Sequence, residues 1–132
     1  MPEDHVEIVR TVFDAYFRGD EAGMLALVSP DVVATQFRDQ LDVADFHGHD
    51  GLRRLMADWT GSWDDWTIEI LRAWAVGGYV FATARQRGRG KASGAPMDAE
   101  VTFVFTVRGA AITRWQMFHT EQEALEALDL AG

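Results

Sequence analysis

Trp115, Met117 and His119 stand two residues apart near the C-terminal end, and on an extended strand that spacing puts all three on one face. An imidazole on such a face is a candidate proton donor and acceptor near neutral pH, a range few side chains cover unperturbed. His119 is therefore the candidate catalytic acid or base, with Trp115 and Met117 as the apolar surface beside it. The competing reading is a strand-end histidine bonded to a backbone carbonyl.

Other groups with chemical potential lie further upstream. His47-Gly48-His49-Asp50 places two imidazoles on the same side of an extended chain, but a firm metal site needs a third ligand. A glycine turn with Asp50 capping the next helix explains the same string, and no metal is expected. Trp59, Trp63 and Trp66 cluster around the exit of that helix. Such rings either fill a core or stack on a flat ligand, which makes Trp59 and Trp63 candidate ligand contacts. If Thr83 and Arg85 face inward, Arg85 pairs with Glu100 on the next strand and orients a carbonyl or carboxylate. If instead the apolar parity of Val101, Phe103, Phe105 and Val107 takes the inner face, Thr83 and Arg85 turn to solvent.

Much chemistry is excluded. With no cysteine there are no disulfides, thiolate nucleophiles or thiolate metal sites, and a cytoplasmic setting is expected. Twelve basic against twenty-one acidic side chains give a net charge of -9, a field that repels nucleic acid and anionic membrane. The basic run Arg85, Gln86, Arg87, Arg89 and Lys91 reads as the solvated end of a hairpin. Gly88-Arg89-Gly90 precedes a strand rather than a helix, so it is no dinucleotide fingerprint, and no phosphate loop or Ser-His-Asp order is present. No cofactor is expected, and the acidic start shows neither signal peptide nor membrane span.

The elements that must position these residues follow from periodicity. Val6, Val9, Phe13, Tyr16 and Phe17 make one stripe of a helix over 3–18, stopped at Gly19. Asp20 caps a short helix carrying Met24, Leu25, Leu27 and Val28, which ends at Ser29-Pro30-Asp31. Val32 to Phe37 reads as a strand, Arg38 to Asp45 as a polar connection, and Asp50-Gly51 as the start of a helix bearing Leu52, Leu55, Met56 and Trp59. Strands are expected over 66–75, 79–87, 97–107 and 112–119, joined by glycine-bearing turns, with a closing amphipathic turn over 121–128. Helices first and hairpin-linked strands afterwards predict one α+β domain over residues 1–132, with an antiparallel sheet covered by helices. The apolar parity of its strands needs a cover, either those helices or a second copy, and a homodimer through the outer sheet face is expected.

The order of these elements, with Phe13-Asp14-Ala15-Tyr16 before Gly19-Asp20, Leu27-Val28-Ser29-Pro30-Asp31-Val32, Phe46-His47-Gly48, the return over 109–114 and the closing Glu123-Ala124-Leu125-Glu126-Ala127-Leu128, resembles the nuclear transport factor 2-like superfamily, in particular its SnoaL-like branch. The resemblance implies a cone-shaped curved antiparallel sheet of cystatin-like type, with N-terminal helices on its concave face and an apolar pocket between them. It also implies that Trp115, Met117 and His119 face that pocket.

Ketosteroid isomerase chemistry in this superfamily needs a carboxylate base, a protonated acid and a tyrosine. The corresponding positions here hold Gln36, Thr102 and Val12, so that isomerisation is not expected, and Gln36 and Thr102 become candidate ligand contacts. The paired aspartates around an arginine that serve epoxide hydrolysis are missing from the predicted strands. Where SnoaL-like cyclases carry an acid after the last tryptophan, this chain has Gln116 and His119. The resemblance thus implies a pocket for a small hydrophobic or cyclic molecule, with proton-transfer chemistry (cyclisation, isomerisation or dehydration) through His119. The alternative is a non-catalytic binding or protein-association domain.

Overall fold

The computed structural model describes residues 2–35 and 45–128. Helix α1 (Pro2–Phe17) and the short α2 (Glu21–Leu25) come first, and the Asp20 carboxylate accepts from Gly23 N at 2.9 Å to cap the second. Strand β1 (Val28–Thr35), a three-residue β2 (Asp45–His47) and helix α3 (Gly48–Gly61) follow. Four long strands complete the sheet, β3 (Trp63–Val76), β4 (Tyr79–Gly90), β5 (Pro96–Arg108) and β6 (Ala111–Phe118), before helix α4 (Glu121–Ala127). No helix among the described residues is long and apolar enough to cross a membrane.

The fold is α+β, a curved, unclosed six-stranded sheet in the order β2-β1-β6-β5-β4-β3 with helices against it. The sheet corrects one expectation, since it is mixed: β1 runs parallel to β6, and every other pair is antiparallel. Hairpin signals are local and read as antiparallel, whereas the β1 to β6 pairing joins chain ends that no turn connects. Strand β2, antiparallel to β1 through Val33 and His47, starts at Asp45, where the expected connection ends, and takes in Phe46 and His47, for which no strand was expected.

Which parity of the strands faces inward is settled by packing. Val101, Phe103, Phe105 and Val107 of β5, with Val80, Ala82 and Ala84 of β4, share one buried cluster with Val9, Val12 and Phe13 of α1 and Leu52 and Leu55 of α3. The Phe13 ring lies 5.5 Å from Phe103, 5.7 Å from Phe105 and 5.8 Å from Trp115, the tilted and edge contacts that aromatic quadrupoles favour. The greasy parity is thus covered from within the chain. On the opposite face a smaller cluster of Phe81, Val104 and Phe118 lies under Ala124 of α4, which Thr120 caps by accepting from Glu123 N.

Helix α3 begins at Gly48 rather than at Asp50, with His47 in the capping position but no side-chain cap bond. Asp50 instead binds Arg53 at 2.8 Å within the first turn. The His49 ring bonds the Val28 carbonyl at 2.8 Å, tying the helix to β1. Gly48 has φ +73°, and a Cβ there would meet the Pro30 carbonyl oxygen at 3.2 Å, whereas Gly109 has φ +62° with open space around it. Both positions oppose an L side chain by roughly 1–2 kcal/mol through backbone conformation alone. Gly109→Ala is expected to cost about that much and Gly48→Ala clearly more in urea unfolding; equal costs would show that the approach to Pro30 does not constrain the helix start.

Candidate functional site

Two irregularities in β3 decide what the inner face holds. Between Asp64 and Thr67 the register against β4 slips by one residue, from Asp64 opposite Arg89 to Thr67 opposite Arg87. Asp65 occupies the left-handed region at φ 54°, which Asp tolerates better than most residues. Side chains three apart on a regular strand face opposite ways. The extra residue instead lets Trp63 and Trp66 both pack over Gly88, whose missing Cβ would lie 3.3 Å from Trp63 Cβ and 3.4 Å from Trp66 Cα. A second slip near Leu71, which is 47% exposed, restores inward packing at Ala73 after Ile68 and Ile70.

The first bulge brings Trp66 onto Gln86 of β4. Gln86 is 4% exposed, and its Oε1 accepts from Trp66 Nε1 at 2.8 Å and from Trp59 Nε1 of α3 at 2.6 Å. Indole N–H only donates, so two indoles on one amide oxygen settle which end of the amide is which. The amide NH2 is left over, with no hydrogen-bond partner among the described residues. Trp63 Nε1 is the single side-chain polar atom among them that is sealed from solvent and unpartnered, so the Gln86 nitrogen keeps some open space.

Gln86 also lines a narrow apolar slot between the helices and the sheet, with Phe13, Leu55 and Met56 on its helical side and Phe103, Trp115 and Met117 on its sheet side. Its volume is about 50 Å³; a dry cavity of about 150 Å³ takes up benzene, so the slot in this shape holds less than one ring. Tyr16, Met56 and Thr60 also border a shallower groove of about 250 Å³ whose rim carries Glu21 and Arg53. Arg53 bonds both Glu21 and Asp50 there, which ties α2 to α3. Tyr16 is the sole ionisable side chain of the slot lining among the described residues, and burial pushes its phenol pKa up, so it keeps its proton.

The sequence-predicted residues divide sharply. Trp59, Trp115 and Met117 line the slot. Trp63 stands behind Trp59, ring to ring at 5.4 Å, and does not border the hollow. Gln36 lies outside the described residues.

His119 is corrected in position: it is exposed and away from the slot. The alternation that turns Trp115 and Met117 inward stops with β6 at Phe118, where the chain bends toward Thr120 and α4. Arg85, Glu100 and Thr102 are corrected too, because the greasy parity of β5 takes the inner face and sends them to the other one. Arg85 grips Asp98 with two bonds of 2.8 Å rather than pairing with Glu100, and this holds the Asp98 carboxyl below its usual range. Thr102 is buried on that outer face, paired in register with Thr83 and Phe118. Among the described residues no three potential metal ligands cluster.

Sequence reasoning missed Gln86 by reading it as one member of a basic run. The available signal was its parity: Ala82, Ala84, Gln86 and Gly88 alternate with Thr83, Arg85 and Arg87, so one amide stands on the small apolar side of the strand.

A family model for the SnoaL-like domain matches residues 9–115, which spans α1 to β6 and nearly all of the slot. The chain belongs to the SnoaL-like family. No curated protein matches the sequence significantly. Among solved structures, an NTF2-like protein from Burkholderia thailandensis E264 superposes on this SnoaL-like domain with TM-score 0.77 at 21% identity, covering 93% of this chain and 95% of that one. A putative SnoaL-like polyketide cyclase from Jannaschia sp. CCS1 gives 0.76 at 17%, covering 99% and 94%. TerC, co-crystallised with polyporic acid, gives 0.73 at 15%, covering 96% and 98%. At these identities the likeness establishes the fold, and the site must speak for the chemistry.

Two outcomes follow for this SnoaL-like domain. Gln86→Leu strips an acceptor from two indoles and is expected to lose at least about 2 kcal/mol in urea unfolding, while Gln86→Glu keeps the acceptor and loses less. A fully stable Gln86→Leu would contradict the bonding described. The raised Tyr16 pKa means that the unfolded chain gives up this proton first, at its ordinary value of 10.0. Its contribution is therefore intact below that pH and is lost as pH rises beyond it. Tyr16→Phe should flatten part of the fall in stability above about pH 10, measured by denaturant titration.

Proposed function

We propose that this SnoaL-like domain binds a small hydrophobic, ring-bearing molecule in the slot between α1, α3 and the inner sheet face, and that it holds the molecule without converting it. The observation that carries the reading is the lining. It is mostly aromatic and aliphatic, with one buried amide, the hydroxyls of Tyr16 and Thr60, and no carboxylate, imidazole or amine among its described residues. Proton transfer needs a group that titrates near the working pH. The tyrosine in this lining is moved away from neutrality, not toward it.

Small volume does not oppose the reading. Met56 and Met117 flank the slot, and unbranched thioethers change rotamer at low cost. Swinging Met56 joins the slot to the groove it already borders. Apolar matter entering this space gains about 25 cal/mol for each Å² withdrawn from water. Co-crystallisation of the structurally similar TerC with polyporic acid supports an organic occupant.

Ethylbenzene, titrated and followed by protein NMR, is expected to give saturable shifts at Trp59, Trp66 and Met117. Leu55→Phe, which places extra carbons in the slot, should weaken it by about tenfold or more. Arg85→Ala, on the outer face, should leave it unchanged. Non-saturable shifts, or a Leu55→Phe variant that binds as well as the parent, would overturn the reading.

A further inference from the structure

Resting on that binding reading, we infer that Gln86 is the specificity determinant of the slot, and that the occupant presents a hydrogen-bond acceptor of the carbonyl class, as an aromatic ketone does. Trp59 Nε1 and Trp66 Nε1 consume the amide oxygen from the helix side and the strand side, so the amide cannot rotate to offer an acceptor. What it presents to the slot is a pair of N–H donors. Apart from the Tyr16 hydroxyl and that of Thr60, which donates to the Met56 carbonyl, the surrounding wall is aliphatic or aromatic, and neither hydroxyl bonds Gln86.

An occupant that closes over the amide seals its N–H groups from water, and a donor then left unmade costs on the order of 1–3 kcal/mol, a cost that a ligand supplying the acceptor avoids. Two bonds accepted at Oε1 polarise the amide and strengthen donation from its nitrogen. A hydrocarbon of the same shape fills the slot and leaves the donors stranded. An alcohol can accept as well, but must also place its own proton against an apolar wall. Discrimination therefore falls on the polarity of a single ligand atom, not on overall size.

The test uses three probes of nearly one shape, acetophenone, 1-phenylethanol and ethylbenzene, titrated into the full chain by NMR. Acetophenone is expected to bind about tenfold tighter than ethylbenzene, with 1-phenylethanol between them. The Gln86 side-chain amide protons should move downfield with acetophenone and stay in place with ethylbenzene. In Gln86→Glu, which keeps an acceptor for both indoles but loses the NH2, the preference for the ketone should vanish while ethylbenzene still binds.

If acetophenone and ethylbenzene bind within about twofold and the amide protons respond alike, the acceptor inference is overturned while the pocket stands. If none of the three binds, the proposed function fails and this inference with it. Should Gln86→Glu not fold, the parent's affinity ratio and its amide shift decide the matter alone.

Discussion

One amide oxygen shared by two indole N–H groups ties the parts of this domain together. Trp59 arrives from the last turns of α3, Trp66 from a bulged strand, and Gln86 from the inner face of β4. Burying an amide and two indoles in an apolar interior is unfavourable unless their polar atoms meet. Here one contact satisfies both indoles and the carbonyl at once. The same contact locks the helix against the edge of the sheet and fixes the orientation of the remaining N–H groups.

The backbone is shaped to allow it. The slip at Asp65 supplies the extra residue that turns Trp66 inward, and Gly88 leaves room for the two rings that cross it. Below this level the tilted rings of Phe13, Phe103, Phe105 and Trp115 close the floor. The outer face follows a different logic, with Arg85 clamped to Asp98 and the Arg72 guanidinium 3.9 Å over Trp74. Polar pairing there is exposed and adds little to stability. The sheet thus has an apolar inner face and an outer face that joins a small buried cluster to exposed ion pairs.

Much of this was legible in the residues. The apolar stripe of α1, the Asp20 cap, the glycine turns and the strand alternation all act over a few residues, and the structure has them within a residue or two at most boundaries. Trp59, Trp115 and Met117 were found because aromatic and apolar spacing reports directly on one face. What failed depended on distance or on irregularity. His119 continues the parity of Met117, and nothing local announces that β6 stops one residue earlier. The Arg85 to Glu100 pairing was expected only if their parity faced inward, and inward parity is decided by which neighbours the helices cover. The parallel pairing of β1 with β6 and the bulge that turns Trp66 toward Gln86 have no turn or period to betray them.

Hydrogen exchange of the indole protons in the unliganded protein tests the shared amide most directly. Trp59 and Trp66 are each expected to exchange slower than free indole by about a hundredfold or more, because each proton is held on the same buried amide oxygen. Exchange of either proton at the rate of free tryptophan would contradict the shared bond to Gln86.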